Sequence, residues 1–244
     1  MYKGAYVALT GAIIRGHEMD NVANNLSNVN TTGYKRSSFG ANMYSIMQDI
    51  DTPAAAEYPD ARAMAYFGDF KIDQTQGTVK TTGNVFDIAI SGEGYFAVQD
   101  NNGTYYTRNG VFTIDRNGLL MNESGQRVLN TAGNQIVIPR EDPSAQINIG
   151  KDGSIYAGAN LVGKVKVVKL TDIEHLGGSL YKGNESGLSK ADLLQGTIEQ
   201  SNVNGVREMI GMIVASRNLE SSIKLIKSFD DLSQRVVNEL AKIR

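Results

Sequence analysis

The chain has 244 residues, of which 41% are hydrophobic and 20% are charged, and these proportions are typical of a folded globular protein rather than a disordered one. Its 24 basic and 26 acidic residues give a formal charge of -2, and no basic run exceeds Lys35-Arg36, which argues against nucleic acid or an anionic membrane as the main partner. The absence of cysteine excludes disulfides and thiolate metal sites.

A helical repeat of small and apolar residues opens the chain between residues 2 and 29. Spacings of three and four place these residues on one stripe of a helix, and their small size favours close approach of a second helix. Arg15, Glu18 and Asp20 interrupt the apolar sequence too early for a membrane-spanning helix or a cleaved signal peptide. We therefore expect residues 1–36 to form an N-terminal helix with a polar, Asn-rich exit. The stripe consists of Ala5, Ala8, Ala12, Met19, Val22, Leu26 and Val29.

The middle of the chain changes to the period of a β-strand. Residues 37–83 are expected to be a connector, and residues 49–64 within it hold two of the four prolines and predict a flexible loop. Alternating apolar residues at 87–91, 95–99 and 164–168 predict strands. Pairs such as Asn109-Gly110 and Asn117-Gly118 predict tight hairpin turns, because both residue types tolerate positive φ. Residues 84–173 are therefore expected to form an antiparallel β-rich domain.

A second connector, residues 174–200, leads to a long C-terminal helix, residues 201–244. The connector is rich in Gly and Ser, whereas neither Gly nor Pro occurs after Gly211. A helix of this length reaches ~60 Å and is marginal in water without packing partners, which the N-terminal helix and neighbouring copies would supply. The predicted fold is thus α+β, with long terminal helices packed as a coiled-coil-like pair around a central antiparallel β-rich domain. The helix carries one stripe at Met209, Met212, Leu219, Ile223 and Ile226, and a second, shifted in phase, at Phe229, Leu232, Val236, Leu240 and Ile243.

Motifs for catalysis or cofactor binding are missing from the sequence. His17 and His175 lie in different zones and have no tight acidic cluster beside them, so a metal triad is not supported. The Gly-Glu-Gly run at residues 92–94 lacks the third glycine and the following helix of a dinucleotide site. Asp115 opens a calcium-like pattern that has no Glu at its last position, so a hairpin turn is the better interpretation. We expect no enzymatic activity, no cofactor, no catalytic or metal site and no small-molecule substrate.

Three segments, at the start, middle and end of the chain, resemble in order the signatures of the bacterial flagellar rod and hook family. Residues 22–36, VANNLSNVNTTGYKR, closely resemble the family's ANNLANVNTTGFK stretch. Residues 86–98, FDIAISGEGYFAV, followed by YTRNG at 106–110, are similar to its LDVAI-x-G-x-GFF and YTR-x-G segments. Residues 196–212, GTIEQSNVNGVREMIGM, resemble its C-terminal SNVN…EM…MI signature. The resemblance covers essentially the whole chain.

The resemblance implies an axial structural protein of the flagellar basal body, in the rod that spans the periplasm and transmits torque from motor to hook. Its partners would be copies of itself, other rod proteins and the flagellar type III export apparatus. The terminal helices would form an inner tube and the β-rich domain its outer wall. The short length and the opening Tyr2 favour the proximal rod type over the distal rod type. The implied subunit-interface residues are Ala5, Ala8, Ala12, Met19, Val22, Asn24, Asn25, Leu26, Asn28, Asn30, Gly33, Tyr34, Ser201, Asn202, Val203, Met209, Met212, Leu219, Ile223 and Ile226.

Other functions stay open on the sequence alone. The chain could be a distal rod or hook-like axial subunit, or a transient assembly cap or scaffold that leaves the mature structure. A secreted β-domain enzyme or carbohydrate-binding module with helical appendages would need a cleft of polar or aromatic residues. The chain has no Trp, and its other aromatic residues follow strand and helix spacing, which disfavours that class.

Overall fold

The computed structural model describes residues 2–45, 63–139 and 146–242, and within them the chain forms two helices and sixteen strands. The predicted α+β class, with a helix near each end and a β-rich region between them, is confirmed. The helices are α1 (Tyr2–Ser27) and α2 (Gly205–Lys242). The strands are β1 (Ser37–Ser45), β2 (Ala63–Ile72), β3 (Val79–Thr81), β4 (Ile88–Ser91), β5 (Tyr95–Gln99), β6 (Thr104–Thr107), β7 (Phe112–Ile114), β8 (Leu120–Asn122), β9 (Arg127–Val128), β10 (Ile147–Ile149), β11 (Ser154–Ala157), β12 (Asn160–Lys164), β13 (Val167–Gly177), β14 (Leu180–Leu188), β15 (Asp192–Gln195) and β16 (Thr197–Glu199).

Two compact units share the chain. The helical unit contains α2, β1, and all of α1 and β2 except their last residues, Ser27 and Ile72. The β-rich unit contains residues 27–36 and the strands from β3 to β16. Neither unit is a continuous stretch of sequence, because residues 27–36 leave the helical unit and the chain returns to it at Ser37.

The helical unit is built on a close contact between α1 and α2. Ala12, Ile14 and Val22 of α1 are buried, as is Ala215 of α2. A methyl group added at Gly211 would lie 3.7 Å from Val22, so the α2 backbone passes close to the Val22 side chain. Small residues permit this approach, as the composition of the N-terminal stripe predicts.

The β-rich unit closes its largest sheet on itself. The sheet has the order β13-β14-β6-β5-β9-β8-β7, and a further antiparallel pairing of β13 with β5 joins four of these strands into a ring. Three smaller sheets, β10-β11-β12, β4-β15 and β3-β16, complete the unit. Its main core is formed by alternating apolar residues of β4 and β5, such as Ile88, Ile90 and Phe96, packed with Phe112 and Leu120.

Hairpin turns occur at most of the predicted Gly positions. Asp115 Oδ1 accepts hydrogen bonds from the backbone N–H groups of Asn117 and Leu119, both at 2.8 Å, which makes the calcium-like pattern a turn. The pair Asn109-Gly110 differs from the prediction, because Gly110 does not have a positive φ. A Cβ atom there would lie 1.7 Å from the Ile88 carbonyl oxygen, so this glycine is needed for close backbone approach rather than for a hairpin.

Three segments differ from their predicted structure. Residues 37–83, expected to be a connector, hold β1, β2 and β3. Residues 164–168 are not one strand: β12 ends at Lys164 and β13 begins at Val167, because the N–H of Val165 bonds to Gly153 in one direction and that of Lys166 to Leu129 in another. Residues 174–200, expected to connect, hold the end of β13 and all of β14, β15 and β16. The predicted loop at 49–64 lies outside the described residues except for Ala63 and Met64, which begin β2.

Candidate assembly surface and buried ion cluster

Asn25 joins three elements inside the helical unit. Its side chain is fully buried near the end of α1, where its amide nitrogen donates to the carbonyl oxygen of Ser37 at 2.8 Å and lies 3.5 Å from a carboxylate oxygen of Glu208. Its amide oxygen accepts the backbone N–H of Ser37 at 3.0 Å. The end of α1, the start of β1 and the start of α2 are thereby tied together.

The start of α2 carries its own N-terminal cap. Asn204 Oδ1 accepts the N–H of Arg207 at 3.0 Å, and the Asn204 carbonyl accepts the N–H of Glu208. Glu208 lies in the first turn, where a carboxylate interacts favourably with the helix dipole, and its side chain is buried. The polar sequence before α2 therefore supplies the N-cap of the helix and is also part of the third signature segment.

The three signature segments meet in the β-rich unit at a buried ion cluster, which we call the Glu199 cluster and define as Lys35, Arg108 and Glu199. Lys35 Nζ lies 2.6 Å from Glu199 Oε1, and Arg108 Nη1 lies 2.9 Å from Glu199 Oε2. All three side chains are at most 3% exposed. Since one carboxylate faces two cations away from water, removing it would leave two unpaired buried charges and cost at least about 3–5 kcal/mol.

Burial dominates the electrostatics of this cluster. Desolvation lowers the pKa of the Lys35 ammonium, and the charge and hydrogen bond of Glu199 oppose that shift. Backbone carbonyls accept two further donors: Lys35 Nζ donates to Thr75 at 2.7 Å and Arg108 Nη2 to Gly92 at 2.7 Å. Among the described residues, the buried Arg108 Nε has no hydrogen-bond partner. The arrangement holds chain segments together rather than offering a proton or a ligand site.

Aromatic rings surround the cluster. The hydroxyl of Tyr181 accepts the backbone N–H of Lys35 at 2.8 Å, and burial raises the pKa of Tyr181. The Arg108 guanidinium lies 5.4 Å from the centre of the Tyr95 ring, within the range of a cation–π contact. The ring of Tyr34 stands edge-on to His175 at 5.4 Å. Tyr34 is fully buried, so the aromatic residue of the first signature is an internal anchor of the β-rich unit.

A different side of α2 is apolar and exposed. We call Val206, Met209, Ile210, Ile213 and Val214 the outer stripe; each is at least 50% exposed. Val206 and Ile210 lie two residues from buried Glu208, and Ile213 lies two residues before buried Ala215. Two residues correspond to about 200° around a helix. The outer stripe therefore lies on the side of α2 away from its buried positions.

The residues predicted from the sequence to form a subunit interface divide by burial, and their role between subunits stays a prediction. The buried ones are Ala12, Val22, Asn25, Gly33, Tyr34 and Val203, and the half-buried ones are Ala8, Met19, Leu26, Asn28, Ser201, Asn202, Met212, Leu219 and Ile226. Asn24, Asn30, Met209 and Ile223 are exposed. Ala5 lies in α1 but is not among the residues whose side chains the structure describes.

Sequence reasoning missed the Glu199 cluster and most of the outer stripe. Lys35, Arg108 and Glu199 each lie within a signature segment, so charged residues within largely uncharged signatures were the available signal. Val206, Ile210 and Ile213 repeat at spacings of four and three, which is itself a helical stripe. Met209 and Met212 were predicted on one stripe, but Met209 is 52% exposed on the outer stripe and Met212 is half-buried.

Other kinds of site have little support in the described part of the chain. No group of three or more His, Asp or Glu side chains there is arranged to hold a metal ion. Within the same residues, neither helix combines the length and the apolar character needed to cross a membrane.

The class of this protein is an α+β chain with an exposed apolar surface on its C-terminal helix. It has a helix near each end of the sequence and a β-rich unit in which three signature segments meet at one buried ion cluster. Family models match in three places: "Flagella basal body rod protein" at residues 6–35, "Flagellar hook protein FlgE/F/G D1 domain" at 89–157 and "Flagellar basal body rod FlgEFG protein C-terminal" at 194–240.

Relatives of similar length match from end to end. The chain is 34% identical to the flagellar basal-body rod protein FlgF of Caulobacter vibrioides, with 100% of both chains covered. It is 30% identical to FlgG of Bacillus subtilis, covering 98% of this chain and 99% of the relative, and 28% identical to FlgF of Mesorhizobium japonicum, covering 98% of each. The chain belongs to the flagellar basal-body rod protein family.

Proposed function

We propose that this chain is a structural subunit of the bacterial flagellar rod, which assembles through its terminal helices into the axial shaft that carries torque from motor to hook. Its place is the basal body, in the part of the rod that spans the periplasm. Family membership supports the class of function. The outer stripe of α2 is the observation that supports assembly, because it leaves a continuous apolar surface that the described residues do not cover.

The coiled-coil-like pairing of α1 and α2 belongs to this proposal. Val22 approaches Gly211, and Asn25 approaches Glu208, so moving three residues forward along α1 moves three residues back along α2. This pattern supports an antiparallel pair. The pair would use one face of α2 and leave the outer stripe free to contact helices of neighbouring subunits.

The partners we infer are copies of this chain, other rod proteins and the flagellar type III export apparatus. The twenty residues predicted from the sequence as an interface are retained, with the outer stripe added to them. We assign the chain to the proximal rod type, supported by the FlgF relative that matches over its whole length. The distal rod type is the alternative, since FlgG relatives also match over nearly the whole chain.

Replacing two apolar residues of the outer stripe tests assembly. The double variant Ile210→Ser, Ile213→Ser should reduce the chain in purified basal bodies at least about tenfold, because each side chain loses roughly 1.5–3 kcal/mol of burial on assembly. Leu161→Ser, which changes a side chain 62% exposed on β12 of the β-rich unit, is the matched control and should assemble normally. Circular dichroism of each purified chain checks that both variants fold.

Two outcomes would overturn the proposal. If the double variant were incorporated into basal bodies as well as the unmodified chain, the outer stripe would not be an assembly interface. Absence of the unmodified chain from mature basal bodies, combined with its presence at the tip of growing ones, would make it a transient cap rather than a rod subunit.

A further inference from the structure

Three segments of the β-rich unit, residues 33–36, 73–77 and 199–202, lie next to the points where the chain passes into or out of the helical unit. These passages fall between residues 26 and 27, 36 and 37, 71 and 72, and 203 and 204. Lys35 precedes the second passage, Thr75 follows the third and Glu199 precedes the fourth. The Glu199 cluster joins all three segments, since Lys35 Nζ bonds to both Thr75 and Glu199.

Backbone hydrogen bonds reinforce the same connections. The N–H of Gly33 donates to the Glu199 carbonyl at 2.8 Å, and the N–H of Gly77 donates to the Glu199 carboxylate at 2.9 Å. Asn202 Oδ1 accepts the N–H of Arg36 at 2.7 Å, and its amide nitrogen donates to the carbonyls of Asp73 and Thr75. Each segment is thus bonded to both of the others.

The segments also touch backbone to backbone. A Cβ atom added at Gly77 would lie 1.9 Å from the Gln200 carbonyl oxygen, and one added at Gly33 would lie 2.3 Å from the backbone of Arg108. Such separations admit only glycine at these two positions, so the backbones pack closely here.

Polar contacts provide most of the bonds that join the three segments. Lys35, Arg108 and Glu199 bond to one another and to backbone groups, and they border the smaller hydrophobic cluster through Tyr95 and Tyr181. The cluster depends on one shared carboxylate, so its bonds stabilise one another and losing one partner weakens the rest. Local regions held in this way open as a unit with their own free energy, below that of global unfolding.

We propose that the Glu199 cluster is a cooperative clasp, which orders the three segments beside the passages between units and opens as one step while the β core stays folded. Glu199 is its positioning residue, since it contacts both cations and both glycine-containing segments. The inference goes beyond the proposed function, because it concerns how the isolated chain is held together.

Amide hydrogen exchange of the full-length chain tests the clasp. Lys35→Met keeps the length of the side chain and leaves Arg108 paired with Glu199, so the cluster loses one cation without gaining an unpaired charge. The amides of Gly33, Arg36, Gly77 and Asn202 should then exchange at least about tenfold faster, while those of the β core change less than about twofold. The reference amides in the core are those of Ile88, Ala97 and Leu120, all of which are bonded within the sheets or to neighbouring turns.

A matched control and a second variant complete the experiment. Lys169→Met removes the cation of an exposed pair with Glu93, whose side chains are 50% and 73% exposed, and should change no amide. Glu199→Gln leaves both cations unpaired and should accelerate the same amides more than Lys35→Met does. Equal acceleration across the β core in Lys35→Met, or no acceleration at the three segments, would overturn the clasp. The measurement uses the isolated chain, so a failure of rod assembly would not affect its outcome.

Discussion

The hydroxyl group of Tyr95 is a polar atom buried at a cost to the folded state. Tyr95 is 2% exposed, and among the described residues its hydroxyl has no hydrogen-bond partner. Its ring is well placed, since it packs edge-on against Tyr181 at 5.3 Å and under the Arg108 guanidinium. The ring stabilises this region while the hydroxyl opposes it.

Tyr95→Phe should therefore stabilise the protein. The variant keeps the ring contacts and removes a buried donor without a partner, so the free energy of unfolding should rise by about 1 kcal/mol. Denaturant unfolding of the full chain at pH 7 measures this change, and Tyr156→Phe, which alters a ring 38% exposed, is the control. A loss of stability in Tyr95→Phe would mean that the hydroxyl has a favourable interaction in the folded state.

The same substitution should alter stability at alkaline pH. Burial raises the pKa of Tyr95 from 10.0 to about 12, so between these values the unfolded chain loses this proton while the folded chain keeps it. Stability then falls as pH rises, by at most about 1.4 kcal/mol per pH unit for one group. Unfolding measured at pH 9, 10 and 11 should show a shallower decline in Tyr95→Phe than in the unmodified chain, and an identical decline would contradict the raised pKa.

Strands with a strong apolar pattern could be predicted from the sequence, whereas exposed strands that depend on backbone pairing could not. Ile88 and Ile90 of β4 alternate with less apolar neighbours and lie in the core, so the sequence indicates the strand directly. Strand β14 is mostly exposed and contains Gly183, Asn184 and Gly187, which read as a loop. It forms a strand because its backbone pairs with β13 and β6, and such pairing leaves no periodic signal in the sequence.

The close contact between β4 and Gly110 can be tested by substitution. Gly110→Ala would place a methyl group 1.7 Å from the Ile88 carbonyl oxygen, whereas Gly125→Ala meets no atom within 4 Å at a φ of +80°. We expect Gly110→Ala to lower the free energy of unfolding by about 3 kcal/mol or more, through backbone displacement. Gly125→Ala should cost only about 1–2 kcal/mol, through its left-handed conformation. Equal losses in the two variants would show that the β4 contact can relax.

For the whole molecule, the arrangement that sequence reasoning could not supply is the meeting of the three signatures. Lys35 and Glu199 are 164 positions apart, and Arg108 and Glu199 are 91 positions apart. Local patterns indicate helices and strands, but a contact at this separation depends on how the sheets close. The signatures suffice to recognise the family, and the fold explains one charged residue in each of them, since Lys35, Arg108 and Glu199 form one ion cluster.

Helix α2 is longer than the helix α1 that packs against it. Helix α2 has 38 residues and α1 has 26, so at least 12 residues of α2, or about 18 Å, exceed the length of α1. Leu232 and Val237, near the end of α2, are 49% and 65% exposed. The backbone amides of a helix end with little packing are weakly protected from hydrogen exchange, because helices gain most of their stability from tertiary contacts.

Hydrogen exchange of the monomer and of the assembled rod should therefore differ most at the end of α2. In a dilute sample shown to be monomeric, the amides of residues 229–242 should exchange at least about a hundredfold faster than in purified basal bodies, because neighbouring subunits cover the helix only after assembly. The amides of the Glu199 cluster should exchange at equal rates in both samples, because their partners lie within one chain. Strong protection of residues 229–242 in the monomer would mean that α2 needs no neighbour, and that its exposed apolar residues have a purpose other than assembly.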